Sequence, residues 1–321
     1  MTLVLICMAD EYIIHVSDRR LTLASEPQQP TSEHANKAIF LDGRYIFGFT
    51  GLAELGGKRT DLWFAEQIQA TGDMPLANRL HLLAKQLPAA VRYAPPKYRA
   101  LAFVGAGFAR RGREAPIEPV WISLSNYLKP TGRPGAISPE FRVSIVRHAD
   151  RKDFSLFSAG AELSVADRAA VNRSVRKARK SGAGIVTIAR ILAEAIWTIS
   201  RRNATVGHSL MICTLPRSAL NPDGAGAAGV SGGIQFNSTD AAFYFLGPEA
   251  EQGIIFGPTT VSPGMMVTDI RMSFGNAEHA AAMPPEIAAI HYQGSGGTKA
   301  PDDALCPCGS GGLYKGCHNK A

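Results

Sequence analysis

Short apolar runs alternate with turn-forming residues over the first 50 positions of the chain. Leu3 to Met8 and Tyr12 to Val16 are β-rich runs with three residues between them, which predicts a hairpin. A second pair of runs, Ala38 to Leu41 and Arg44 to Phe49, flanks Asp42-Gly43, a dipeptide that strongly favours a two-residue hairpin turn. The chain is therefore predicted to begin with antiparallel strands.

The pattern then changes to helical spacing. A helix is predicted over residues 52–70, and a second one follows from the apolar stripe Leu76, Leu80, Leu83, Leu87 and Val91. Further strands are predicted at 99–108, 119–124, 141–146, 154–157 and 209–215, with helices at 164–180 and 184–201. This order favours a layered α+β domain in which helices cover sheets.

The pattern weakens after residue 217, where a Gly/Ala-rich passage predicts a loop. Short strands are predicted at 241–246, 254–256 and 265–270. We therefore predict one domain over 2–290, with a core at 2–215 and an extension at 216–290, then a flexible linker at 291–304 and a separate module at 305–321.

Composition narrows the class of protein. The chain has 321 residues, of which 45% are hydrophobic and 19% charged, so it can bury a full core. No run approaches the roughly 20 apolar residues that span a bilayer, and the N-terminus lacks the basic head of a signal peptide. We expect a cytoplasmic protein without a membrane partner. The net charge of +7, spread over this length, does not favour a dedicated nucleic-acid binder.

Candidate chemistry begins at Thr2. A small residue after Met1 permits removal of the methionine, which would make Thr2 the first residue. An N-terminal threonine carries a nucleophilic hydroxyl and an α-amine whose ordinary pKa is about 8, so it can bring its own general base. A neighbouring cation would lower that pKa towards neutrality.

Two charged residues beside apolar strands could complete such a site. Asp18 ends the second run and Lys37 precedes the third, and pairing them would remove the cost of burying either charge alone. Gly48 and Gly51 bracket the exit of the fourth run, where a glycine lets backbone approach a substrate and offer an N–H to an oxyanion.

These residues resemble the N-terminal nucleophile (Ntn) hydrolases of the proteasome β-subunit type over about residues 2 to 215. In that family an Asp lies sixteen positions after the mature Thr, as Asp18 does here, followed by a Lys at a strand start and a Gly after a short strand. The resemblance implies a four-layer αββα sandwich and a homo-oligomer. It also implies that Thr2 is nucleophile and base, Lys37 the cation, Asp18 its orienting partner and Gly51 the oxyanion donor.

Other family positions match less closely. The family's Ser between glycines falls near Ser158, Asn203 stands in place of a later Asp, and Thr205 could replace a hydroxyl with a one-residue shift. Two functions follow. The first is a threonine-type hydrolase, a protease-like enzyme acting on a peptide or amide substrate. The alternative is a catalytically inactive scaffold or adaptor that binds protein partners.

The last 16 residues hold three of the five cysteines, in a C-x-C-x8-C-H arrangement formed by Cys306, Cys308, Cys317 and His318. Three thiolates and an imidazole suit a closed, structural Zn²⁺ site. A segment this short cannot bury a core, so binding of zinc would supply the free energy that orders it. The alternatives are a disulfide, which a cytoplasmic context disfavours, or incidental cysteines.

This segment resembles the SEC-C motif, a small zinc module appended to many bacterial proteins, and the resemblance extends to Pro307, Gly309-Ser310 and Tyr314. It implies that the tail is a docking module for a protein partner. A basic stretch at 168–180 is interpreted first as a solvated helix face and second as a site for an acidic partner, since no aromatic residues are interleaved.

Overall fold

The computed structural model describes residues 2–22, 30–32, 35–72, 74–110, 116–128, 137–148, 153–220, 242–246, 254–256, 258–262, 265–273 and 286–291. Over these residues the chain is mixed α+β. Its strands are β1 (Leu3–Met8), β2 (Tyr12–Asp18), β3 (Leu21–Thr22), β4 (Pro30–Ser32), β5 (Ala38–Leu41), β6 (Tyr45–Gly51), β7 (Glu54–Leu55), β8 (Lys58–Arg59), β9 (Leu101–Ala109), β10 (Glu118–Tyr127), β11 (Ile137–Arg147), β12 (Ser155–Gly160), β13 (Leu210–Pro216), β14 (Ala242–Leu246), β15 (Ile254–Phe256), β16 (Thr259–Ser262), β17 (Met265–Ser273) and β18 (Glu286–His291). Its α-helices are α1 (Thr60–Ala70), α2 (Leu76–Val91), α3 (Val165–Lys180) and α4 (Ile185–Ser200), and single 3₁₀ turns cover Pro96–Tyr98 and Arg217–Ala219.

Both predicted N-terminal hairpins are confirmed. β1 and β2 pair antiparallel, with Val4 opposite Ser17, and β5 and β6 pair with Leu41 opposite Tyr45. In the second hairpin Asp42 and Gly43 both have positive φ, 54° and 64°. These two left-handed residues form the turn, which Arg44 N closes by donating to Leu41 O at 3.1 Å. The connection has three residues rather than two, because Leu41 pairs with Tyr45.

The strands form two main sheets. The first has the order β12-β1-β2-β13-β14, and the second has the order β11-β10-β9-β6-β5-β16-β17-β15, with β18 paired to β17. β16 lies parallel to β5, with Thr259 opposite Ile39, so the extension after residue 217 joins the second sheet directly beside the strand that follows Lys37.

Three hydrophobic clusters pack the sheets and helices together, and alternation along β1 assigns its side chains to two of them. Val4, Ile6 and Met8 pack in a cluster that joins the two sheets, together with residues of β5, β6, β9 and β13. Leu3, Leu5 and Cys7 point the other way, into a cluster with α3 and α4. The third cluster packs α1 and α2 against the outer face of the second sheet. The site described below lies at one end of the cluster between the sheets.

Several elements differ from the sequence prediction. The helix predicted over 52–70 begins only at Thr60, because Gly56 and Gly57 have positive φ and turn the chain between β7 and β8. β3, β4, β16 and β18 were not predicted. β16 has only four residues, and Val261 is the one apolar residue among them, so its sequence has no apolar alternation, although burial alternates along the strand.

The four helices otherwise follow their predicted spacing. The N-cap Ser164 accepts a hydrogen bond from Asp167 N, which starts α3, and the basic stretch lies along this helix. Arg168 and Arg179 from that stretch are hydrogen-bonded to neighbouring strands, whereas Arg173 and Lys177 are exposed. No helix among the described residues is long and apolar enough to cross a membrane.

Candidate active site

The hydroxyl of Thr2 meets a buried ammonium. Lys37 Nζ donates a hydrogen bond to Thr2 Oγ1 at 2.7 Å, and both residues are buried, with the Lys37 side chain fully enclosed. Asn36 fixes the local backbone, since its Oδ1 accepts from Ala38 N at 3.1 Å and starts β5 directly after Lys37. A turn and a strand register therefore aim this lysine at the start of β1.

Asp18 supplies the charge that balances Lys37. Its Oδ2 lies 3.3 Å from Lys37 Nζ, and neither side chain is exposed to solvent. The same carboxylate accepts main-chain hydrogen bonds from Leu3 N at 2.8 Å, Arg20 N at 3.1 Å and Gly207 N at 3.0 Å. Three backbone donors from three separate segments therefore hold the carboxylate in place.

Lys37 has an acceptor for each of its three protons. Besides Thr2 Oγ1 and Asp18 Oδ2, it donates to the carbonyl oxygen of Arg20. An ammonium has three N–H groups, so this one is saturated and fixed in direction. Because Lys37 donates to Thr2 Oγ1, the hydroxyl proton of Thr2 remains available for transfer to a base elsewhere.

The main chain of Thr2 is held just as closely. Ala161 N donates to Thr2 O at 2.7 Å, and Thr50 Oγ1 lies at hydrogen-bonding distance from the same oxygen, 3.5 Å. Gly160 packs against this carbonyl with φ +90°, and a Cβ there would lie 1.7 Å from Thr2 O. Only glycine fits, so Gly160 is a site residue that the sequence reasoning did not assign.

Gly51 ends β6 beside Thr50, as predicted. Its φ is +110°, and a Cβ would lie 2.0 Å from Ala100 O, so the backbone at this strand end requires glycine. The residue itself is exposed. Its role as an oxyanion donor stays a prediction.

Gly48 has a different reason to be glycine. A Cβ at Gly48 would lie 2.3 Å from His15 Nε2 and 3.3 Å from Lys37 O, so the missing side chain makes room for the imidazole. His15 is fully buried, and neither of its ring nitrogens has a hydrogen-bond partner among the described residues. Burial lowers the pKa of His15 to about 4, so the ring is neutral at pH 7. The sequence reasoning assigned no role to this residue.

The three less certain family positions do not contact Thr2 through any hydrogen bond of the described residues. Ser158 Oγ accepts from Arg168 at 2.6 Å. Asn203 Oδ1 accepts from Thr205 N at 3.0 Å and from Thr205 Oγ1 at 2.7 Å, which closes a local turn. That turn leads to Gly207, whose N–H holds Asp18, so it shapes the site indirectly.

The predicted zinc ligands Cys306, Cys308, Cys317 and His318 lie outside the described residues. Within the described part of the chain, no group of three or more His, Cys, Asp or Glu side chains is arranged to hold a metal ion. The remaining cysteines, Cys7 and Cys213, are fully buried, unpaired thiols in the hydrophobic clusters.

No protein-family model matches this chain. No curated protein shows significant similarity to it. The functional argument therefore depends on the geometry around Thr2.

Proposed function

We propose that this chain is an N-terminal-nucleophile hydrolase of amide bonds, in which Thr2 becomes the nucleophile once Met1 is removed. The observation that carries the proposal is the 2.7 Å hydrogen bond from the buried Lys37 Nζ to Thr2 Oγ1, with Asp18 balancing the charge. Burying the charge of a lysine costs desolvation free energy. Activation of the Thr2 hydroxyl as a nucleophile would explain why the fold keeps this charge buried beside it.

The reaction would proceed in two halves. Thr2 Oγ attacks the amide carbon and passes its proton to the free α-amine, while the oxyanion is stabilised by the backbone N–H of Gly51. The carbon–nitrogen bond then breaks, and the leaving nitrogen takes that proton back from the α-ammonium. A water molecule, deprotonated by the same amine, hydrolyses the ester on Thr2 Oγ and releases the acid.

The four-layer αββα sandwich is part of the same proposal. Its support is the order of the hydrophobic clusters: α3 and α4 on the first sheet, one cluster between the sheets, and α1 and α2 on the second sheet. We also propose the domain limits 2–290, 291–304 and 305–321, a homo-oligomer, and a structural Zn²⁺ held by the C-terminal module as a docking tail. The native mass of the full chain tests the homo-oligomer, and metal analysis of the full chain tests the Zn²⁺ site.

A second candidate is an inactive scaffold that binds protein partners through this tail. Two hydrogen bonds favour this candidate: Ser158 accepts from Arg168, and Asn203 accepts from Thr205. Because these side chains bond to other residues, they do not relay protons to or from Thr2.

Covalent labelling discriminates the two functions. A peptide epoxyketone reacts with an N-terminal threonine through both the hydroxyl and the α-amine, so it reports removal of Met1 and the nucleophile together. We expect the wild-type protein to gain one equivalent at Thr2, the Thr2→Ser protein to be labelled, and the Thr2→Ala protein to remain unlabelled. Retention of Met1 in the intact mass, or equal labelling of Thr2→Ala, would contradict the hydrolase.

A further inference from the structure

The second sheet extends beyond the first on one side of the site. β12 is the edge strand of the first sheet, whereas β9 continues into β10 and β11. The side chains on the inner face change along this direction. On β9 they are small and apolar, Ala102 and Val104, but on β11 Arg142 and Ser144 lie on this face together with the apolar Val146. The inner face thus becomes more polar where the first sheet ends.

A cavity of about 190 Å³ lies at this boundary. Thr50 and Gly160 line one end of it, and Arg142 and Ser144 line the other. This volume accommodates a group of about the size of one amino-acid side chain. We call it the β10–β11 pocket.

The inner end of the pocket adjoins the candidate nucleophile. A Cβ on Gly160 would lie 1.7 Å from Thr2 O and 2.7 Å from Thr50 Oγ1, so these three residues are in direct contact. A substrate whose scissile amide lies at Thr2 would therefore reach the pocket with the next group along its chain.

The walls of the pocket combine an aromatic surface with a cation. Trp121 is held by stacking on Phe157, with ring centroids 5.0 Å apart and planes 13° from parallel. Across the pocket, Arg142 is exposed and has no ion-pair partner among the described residues. The hydroxyl-bearing residues Ser123 and Ser144 lie between them. A guanidinium beside hydroxyl groups is the chemistry that binds a carboxylate.

We propose that the β10–β11 pocket binds a carboxylate-bearing group of the substrate, with Arg142 as the anchor and Trp121 as the apolar wall. The preferred substrates are then N-acylated amino acids or short peptides that carry a free carboxylate close to the bond that is cleaved. The role of this pocket as part of the substrate site rests on the proposed function, whereas its ability to bind a carboxylate does not depend on that function.

Binding to an inactive protein tests the pocket. The Thr2→Ala protein is titrated calorimetrically with N-benzoylglycyl-phenylalanine and, separately, with its C-terminal amide, which lacks the negative charge. We expect the acid to bind about tenfold more tightly than the amide, because only the acid makes the charge-assisted contact with Arg142. Adding Arg142→Gln removes this preference, whereas Arg173→Gln, which changes an exposed arginine on α3, leaves it intact.

Equal affinity of acid and amide, absence of binding of both, or a preference that survives Arg142→Gln would overturn the proposal. The result is independent of labelling at Thr2. If Thr2 is not labelled but Arg142 still selects the acid, the hydrolase fails and the pocket stands. If Thr2 is labelled and the acid is not preferred, the pocket fails and the hydrolase stands.

Discussion

Asn36 and Lys37 are neighbours in the chain, yet their side chains enter two different buried polar clusters. Lys37 joins Thr2 and Asp18 between the sheets. Asn36 joins Asp61, at the start of α1, and Thr259, at the start of β16. We call these the Lys37 cluster and the Asp61 cluster.

Side chains hold the carboxylate of the Asp61 cluster. Asp61 Oδ2 accepts from Asn36 Nδ2 and from Thr259 Oγ1, each at 3.0 Å, and from Arg59 at 2.7 Å. These hydrogen bonds tie α1 and β16 to the turn before β5, where Asn36 Oδ1 also accepts from Ala38 N. We therefore interpret the Asp61 cluster as a structural contact that stabilises the fold.

The Lys37 cluster differs in where its hydrogen bonds come from. Main-chain N–H groups hold Asp18, and a main-chain carbonyl accepts from Lys37, so the backbone fixes both charges. Lys37 also donates to the side-chain hydroxyl of Thr2. Unlike the Asp61 cluster, the Lys37 cluster therefore directs a fixed positive charge at a reactive group, the hydroxyl of Thr2.

The largest expected effect is that of Lys37→Met. It leaves the carboxylate of Asp18 buried without its cation, which should lower the free energy of unfolding by about 3–5 kcal/mol. Labelling at Thr2 should fall about 100-fold or more, since a fixed charge beside the reacting group is lost. Urea unfolding and the rate of epoxyketone labelling measure the two effects.

Lys58→Met is the matched control for this variant. Lys58 is 53% exposed and pairs with Glu66 at the surface, so its loss should cost less than about 1 kcal/mol and leave labelling unchanged. Labelling of Lys37→Met at the wild-type rate would show that the Lys37 cluster is structural, like the Asp61 cluster.

The next effect concerns His15, whose ring fills the space that a side chain at Gly48 would occupy. The pKa of the buried ring is about 4, against an ordinary value of 6.5, so the unfolded chain binds the proton more readily between these two pH values. The stabilisation is therefore complete above pH 6.5 and is lost as the pH falls towards 4, by about 3 kcal/mol in total. Urea unfolding at pH 7, 5.5 and 4.5 measures this loss.

His15→Gln serves as the comparison, because glutamine is similar in size and does not titrate. The variant should lose less stability than the wild type over the same pH range, since the remaining carboxylates are common to both proteins. Parallel pH profiles for the two proteins would show that the imidazole is not held neutral in the folded chain.

The sequence predicted those parts of the fold and site that rest on local signals. The hairpin at Asp42-Gly43 and the helical stripe of α2 each have a pattern within a few residues. Thr2, Asp18 and Lys37 lie at the ends of such predicted strands, and the structure brings all three together.

The unpredicted parts depend on contacts between distant segments. β16 pairs with β5 across more than 200 residues, and its four residues give no periodic signal of their own. Gly160 matters only because the carbonyl of Thr2 lies against it, and His15 only because Gly48 faces it on the other sheet. Such packing is set by the tertiary fold, so no pattern of residues along the chain predicts it.

The smallest expected effect tests whether the Asp61 cluster has only a structural role. Asp61→Ala removes the acceptor for the side chains of Asn36 and Thr259, both buried, and should lower the free energy of unfolding by about 2 kcal/mol. The contact with Arg59 adds little, because the Arg59 side chain is 43% exposed. Labelling of Thr2 in the folded variant should match that of the wild type.

A double-mutant cycle with Thr259→Val locates this loss of stability. Valine keeps the shape of threonine but removes the hydroxyl that donates to Asp61, so the two substitutions together should destabilise the protein by less than the sum of their separate effects. Asp10→Ala, at an exposed turn, should change neither stability nor labelling. If Asp61→Ala instead slows labelling as strongly as Lys37→Met, the two clusters act as one site, and β16 is part of the catalytic apparatus rather than a brace beside it.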